Sequence, residues 1–113
     1  MLSKLFCGGG GDAIDVAEAE RRASAGEVIL VDVRETSEWK SGHAPTARHL
    51  PLGGLDERAL GELRTKGKPV AFICQSGGRS GQACGRARQA GLQAINVKGG
   101  MGAWKRAGLP VAR

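Results

Sequence analysis

The segment Cys74-Gln75-Ser76-Gly77-Gly78-Arg79-Ser80 brings a thiol, two hydroxyls, adjacent glycines and a guanidinium into one short stretch. A thiol reacts as its thiolate, which is favoured by N–H donors and positive charge close by. Gly77 and Gly78 permit backbone conformations closed to other residues, so successive amides can turn inward as an anion nest around the sulfur. If the segment leaves a strand and enters a helix, the positive end of that helix points at the same atom. A favourable helix terminus contributes up to ~2 kcal/mol, enough to bring a thiol of ordinary pKa ~8.5 down towards ~7. Arg79 adds a bidentate clamp for an oxyanion. The competing reading is an inert thiol that ends a core strand, with the glycines forming an ordinary turn.

The other reactive side chains make weaker cases. Cys84 lies on the following helix, about 15 Å from Cys74 along a regular axis, too far to act as a resolving thiol without large motion. Cys7 precedes the run Gly8–Gly11 and could swing in to take a sulfur, although a terminal cysteine ordinarily has no role. An odd number of cysteines with no CxxC pair argues against a disulfide framework and a zinc site. His43 and His49 have no further ligand at metal spacing, so no metal is expected. Asp32 and Arg34 end a buried strand and are read as supports for the site, with a salt bridge such as Arg34 to Glu38 tying the next turn to the sheet. Trp39 and Trp104 read as core anchors.

The elements that must position these groups follow from the apolar pattern. Residues 1–11 read as a flexible N-terminal tail and residues 12–113 as one domain. Asp12 is a candidate N-cap for a helix through Ala23 closed by Gly26. Val28 to Val33, a near-continuous β-branched run, and the apolar stretch Val70 to Ile73 suit strands buried on both faces. A helical turn is expected at Glu35 to Lys40, an irregular stretch at His43 to Gly54, and a helix at Asp56 to Leu63. Beyond the Gly-rich loop come a helix from about Arg79 to Ala90, a strand at Ala94 to Val97 and a helix around Met101 to Ala107. Alternating strands and helices imply an α/β sandwich with a parallel central sheet, whose ligands sit beyond the carboxyl ends of the strands. Cys74 occupies that position.

Composition narrows the partners. With 41% hydrophobic and 25% charged residues among 113, the chain has the make-up of one globular domain. Its apolar runs are far shorter than the ~18 residues of a membrane span, and its first residues lack a secretory signal, so a cytoplasmic location is expected. All eleven acidic residues fall within residues 1–62, which carry −4, while residues 63–113 carry +10. Such a field attracts anions. With only Phe6, Trp39, Phe72 and Trp104 as aromatics, none interleaved with a basic run, nucleic acid is disfavoured and small anions are preferred.

Three stretches together resemble the rhodanese (sulfurtransferase) domain family across residues 12–113. They are Val31-Asp32-Val33-Arg34 with Glu38-Trp39 and Gly42-His43; the Cys74 to Ser80 loop; and Val97-Lys98-Gly99-Gly100 followed by Trp104. The resemblance implies a three-layer sandwich with a central parallel sheet flanked by helices. It implies that Cys74 accepts sulfane sulfur from thiosulfate or a persulfide and passes it to cyanide or a thiol, without a cofactor. It makes Gln75, Ser76, Gly77, Gly78, Arg79 and Ser80 the substrate-binding loop and gives His43 a loop-fixing role. The chain departs from the family pattern at Ala44-Pro45-Thr46-Ala47, where Thr46 replaces a glycine at the rim of the site. Cys74 and Arg79 are separated by four residues, whereas related cysteine phosphatases and arsenate reductases resemble C-x5-R, a wider cradle. Sulfur transfer is therefore preferred to phosphate chemistry. The alternative is a non-enzymatic persulfide carrier or partner-binding module exchanging sulfur with a protein donor or acceptor. Such a carrier would load sulfur but release it slowly to small acceptors.

Overall fold

The computed structural model describes residues 12–113; the expected tail, with Cys7, lies outside the described residues. Five strands form one parallel sheet: β1 (Ala13–Ile14), β2 (Ile29–Asp32), β3 (Arg48–His49), β4 (Val70–Ile73) and β5 (Ala94–Val97), in the order β1-β5-β4-β2-β3. The connections carry α1 (Val16–Ser24), α2 (Thr36–Ser41), α3 (Glu57–Arg64) and α4 (Gly78–Gln89), and α5 (Gly100–Arg106) follows β5.

The three central strands are short apolar runs because both of their faces are covered. On one face Ile29, Val31, Val70, Phe72 and Ala94 pack against Leu60 and Leu63 of α3 and Ala83, Cys84 and Ala87 of α4. On the other, Leu30, Ala71, Ile73, Ile95 and Val97 meet Val16 and Ala19 of α1 and Met101 and Trp104 of α5. The alternation of strand side chains thus builds two cores and three layers. Trp104 is fully buried and donates its indole N–H to the Pro110 carbonyl at 2.7 Å, which satisfies its one polar atom. The expected helices of the second half and the two central strands stand within a residue or two of the positions read from the pattern.

Three local expectations are corrected. The first helix does not start at Asp12. Ala13 and Ile14 instead pair with Asn96 and Val97, and Asp12 and Ile14 carbonyls accept from the Asn96 and Lys98 amides, so this segment completes the edge of the sheet. The N-cap is Asp15, whose carboxylate accepts from Glu18 N at 2.9 Å. The stretch expected to be irregular holds β3 and a single 3-10 turn at Leu52–Gly54; the amides of Leu50 and Leu52 donate to the Asp32 and Val33 carbonyls. Trp39 is no core anchor. It is half-buried, stacked between His43 (ring centroids 3.5 Å apart) and His49 (4.8 Å). Among the described residues no helix is long and apolar enough to cross a membrane.

Candidate active site

β4 ends at Ile73, and the chain turns through Cys74 to Gly77 before α4 begins at Gly78. Of the two glycines, only Gly77 has a left-handed backbone, at φ 121°; Gly78 is the first helical residue. The turn aims the Gly77 amide back at the sulfur, and N–H donates to Cys74 Sγ at 3.0 Å. The Ser80 hydroxyl lies 3.3 Å from the same sulfur. Burial pushes the Cys74 thiol up, while the Ser80 hydroxyl and the amides of Ser80, Gly77 and Ser76 pull it down, and the balance holds it below its ordinary value. The helix N-terminus works in the same direction.

The loop is held from the other side by α5. The carbonyls of Cys74 and Gln75 accept from Met101 N at 2.8 Å and Gly102 N at 3.1 Å. This close approach requires glycine at position 100: its φ is 57°, and a Cβ there would lie 2.4 Å from the Cys74 carbonyl oxygen. The Gly99-Gly100 pair at the end of β5 therefore fixes the backbone of the thiol-bearing turn.

Arg79 lies on the first turn of α4, and its guanidinium makes two parallel hydrogen bonds to Glu38, at 2.8 and 3.0 Å. This pair joins α4 to α2. It holds the Glu38 carboxyl down at about 2, and Glu38 in turn raises the pKa of Arg79; a thiolate at Cys74 also favours the charged guanidinium. Two of the five guanidinium N–H groups are used by Glu38, leaving three for another acceptor.

Asp32 and Arg34 pair with each other, which corrects the expected Arg34–Glu38 bridge. The Asp32 carboxylate accepts from Arg34 N, Nε and a terminal nitrogen at 2.8 to 3.1 Å, and the same terminal nitrogen reaches the Gly42 carbonyl at 2.7 Å. Glu38 is out of this partnership because Arg79 takes both of its oxygens. Arg34 still ties the end of α2 to the sheet, through the Gly42 carbonyl rather than through Glu38. His43 bonds the Trp39 carbonyl through Nδ1 at 2.8 Å, and its backbone bridges to Ala112. His49 bonds the Arg34 carbonyl through Nε2 at 2.8 Å.

Gln75 and Ser76 lie exposed at the loop tip, Cys84 is buried under α4, and Thr46 is exposed in a turn. Sequence reasoning missed Asn96. Its Oδ1 accepts from Ser80 Oγ at 2.6 Å and its Nδ2 donates to the Gly77 carbonyl at 3.2 Å. The signal was an amide side chain inside an otherwise apolar strand. A cavity of about 340 Å³ between β3 and α3, with Arg48, His49, Glu62 and Lys66 in its wall, includes no residue of the Cys74 loop.

Comparisons with known proteins bear on the family and the fold. The profile of the Rhodanese-like domain matches residues 15–107. The uncharacterized protein slr1261 of Synechocystis sp. is 44% identical over 87 residues, covering 76% of this chain and 48% of its own, so the chain spans about half the length of that relative. A sulfurtransferase of Allochromatium vinosum is 38% identical over 94 residues, covering 82% of this chain and 86% of its own. Among solved structures, the rhodanese-related protein of Thermoplasma volcanium superimposes with a TM-score of 0.77 at 29% identity, covering 89% of this chain and 97% of that one.

Proposed function

The chain belongs to the rhodanese-like domain family, and on that premise we propose that residues 12–113 form one sulfurtransferase domain that carries sulfur as a persulfide on Cys74. The observation that carries this reading is the Cys74 sulfur beyond the carboxyl end of β4, accepting the Gly77 N–H at 3.0 Å at the entrance of α4. A thiol pKa held below its ordinary value favours the thiolate, and the same amides suit the anionic outer sulfur of a persulfide.

With thiosulfate as donor, the Cys74 thiolate attacks the outer sulfur, the sulfur–sulfur bond of the donor breaks, and sulfite leaves with the bonding electron pair. An acceptor then attacks the outer sulfur of the persulfide. Cyanide gives thiocyanate, a thiol gives a new persulfide, and the Cys74 thiolate is returned. A protein persulfide can replace thiosulfate as donor in the same balance. Arg79 meets the oxyanion with the N–H groups that Glu38 leaves unused, while Gln75, Ser76, Gly77, Gly78 and Ser80 line the loop. Asp32 and Arg34 support it from β2. These steps draw on no metal or cofactor.

The test is turnover. Thiosulfate and cyanide should yield thiocyanate, with negligible hydrolysis of an aryl phosphate, because four residues between Cys74 and Arg79 leave a cradle narrower than phosphate requires. Phosphatase activity comparable with sulfur transfer would overturn the assignment of chemistry. Loading from thiosulfate without release to cyanide or a small thiol would identify a persulfide carrier dedicated to a protein partner.

A further inference from the structure

Ser80 Oγ has one proton and three acceptors within reach: Asn96 Oδ1 at 2.6 Å, the Gly77 carbonyl at 3.2 Å and Cys74 Sγ at 3.3 Å. Ser80 is fully buried, so water does not supply an alternative partner. The shortest contact takes the proton. The Asn96 amide is not free to rotate away from this role, since the opposite orientation would set its oxygen against the Gly77 carbonyl that Nδ2 now donates to at 3.2 Å. The four residues form a closed circuit, in which Gly77 N donates to Cys74 Sγ and the Gly77 carbonyl accepts from Asn96.

We propose that Asn96 is a positioning residue for the Cys74 thiol: by accepting the Ser80 proton it decides whether that hydroxyl donates to the sulfur or accepts from it. With the thiol protonated, S–H points at the Ser80 oxygen, whose own hydrogen lies on Asn96, and every member of the circuit is satisfied. When the sulfur ionises it no longer has a proton to give. The Ser80 hydroxyl must then turn to the thiolate and abandon Asn96. Asn96 and the thiolate compete for one hydrogen. The Asn96 side chain, a second support of the loop in the resting thiol, therefore opposes ionisation.

The inference deepens the reading of Cys74 as the sulfur carrier, but its test is alkylation, which proceeds whether or not sulfur is transferred. The charged groups on the elements next to the loop are Arg79 on α4 with its partner Glu38 on α2, the Asp32–Arg34 pair at the end of β2, and Lys98 just beyond β5. None of these is changed by the substitutions below. The rate of iodoacetamide modification at Cys74, read by peptide mass across pH, reports the thiol pKa. Ser80→Ala should raise it and Asn96→Ala should lower it, each by ~0.5–1 pH unit for one charge-assisted hydrogen bond lost or freed. Asn96→Asp, which keeps the acceptor and adds negative charge, should raise it. In the Ser80→Ala background, Asn96→Ala should produce no further shift.

Opposite signs for the two alanine variants, together with this epistasis, are outcomes that general loosening of the loop does not give. The proposal is overturned if Asn96→Ala leaves the alkylation profile in place or moves it upward, or if its shift persists without the Ser80 hydroxyl. Should Asn96→Ala not fold, a profile for Asn96→Asp at or below that of the unsubstituted protein would be equally decisive.

Discussion

The ends of β2 and β4 lie side by side, in register from Ile29↔Val70 to Asp32↔Ile73, and each buries a polar group, Asp32 as the last residue of β2 and Cys74 as the first beyond β4. The Asp32 carboxylate at the first is saturated: it receives backbone and guanidinium N–H groups from Arg34, whose remaining reach goes to the Gly42 carbonyl. The Cys74 sulfur at the second has the Gly77 amide and a hydroxyl shared with Asn96. A buried ion pair of that kind is locked, because removing either partner strands a charge in the core. A thiol held by oriented amides can gain and lose charge while the backbone stays where it is. Two neighbouring strand ends thus divide the labour: one fixes the geometry of the cleft, and the other is left chemically open.

That division is broken most directly at Asp32. Asp32→Asn should lower unfolding stability by about 3–5 kcal/mol, measured by urea denaturation, since it leaves the buried Arg34 charge uncompensated. Cys74→Ser should cost about 1 kcal/mol or less, because a hydroxyl can use the same Gly77 and Ser80 partners. Equal losses at the two positions would erase the distinction. Next in size is Gly100→Ala, expected to cost about 2–5 kcal/mol from the left-handed backbone and the clash with the Cys74 carbonyl, and to slow alkylation of Cys74 in the folded fraction.

The Glu38–Arg79 pair joins the helices that follow the two ends, α2 and α4, and should matter less to stability. Its side chains are about one-third exposed, so Glu38→Gln should cost no more than ~1 kcal/mol. Its pH signature is specific. The folded carboxyl lies near 2 against an ordinary 4.5, so its contribution is complete above pH 4.5 and is lost as pH falls towards 2. Denaturation curves of the Glu38→Gln variant should lack that part of the acid decline; an unchanged decline would show that the pair does not couple α2 to α4.

The smallest effect concerns steering. Arg86 lies eight residues along α4 from Gly78, about 12 Å down the axis from the loop, and donates to the Leu52 carbonyl. Lys98 directly follows β5, at the carboxyl end of the sheet. The fall of kcat/KM for thiosulfate as ionic strength rises should therefore be shallower in Lys98→Gln than in Arg86→Gln, with substrate held well below KM. The Debye length shrinks from ~30 Å at 0.01 M to ~8 Å at 0.15 M over the useful range. Identical salt responses in both variants would make these cations an ordinary solvated face.

The β4–loop–α4 unit was legible in the sequence because a short apolar run, a glycine turn and a helix follow one another without interruption. The charge partners were not. Arg34 has Asp32 two residues before it and Glu38 four after, and spacing alone does not decide between them. What decides is Arg79, 41 residues from Glu38, whose guanidinium takes both Glu38 oxygens once α4 packs near α2. Asn96 stands 16 residues from Ser80, and only the parallel pairing of β5 with β4 brings the two together. The start of α1 is not decided locally: Asp12 and Asp15 are both competent caps, and the choice is made by the edge of β5 that Ala13 and Ile14 cover, a feature of the sheet and not of the local sequence.

The central claim, that Cys74 holds the sulfur in transit, is tested most directly by intact mass. After incubation with thiosulfate and removal of excess donor, the unsubstituted protein should gain the mass of one sulfur atom and lose it again on addition of cyanide, whereas Cys74→Ser should show neither change. A Cys74→Ser protein that still takes up sulfur and releases it to cyanide would place the carrier elsewhere and contradict the account.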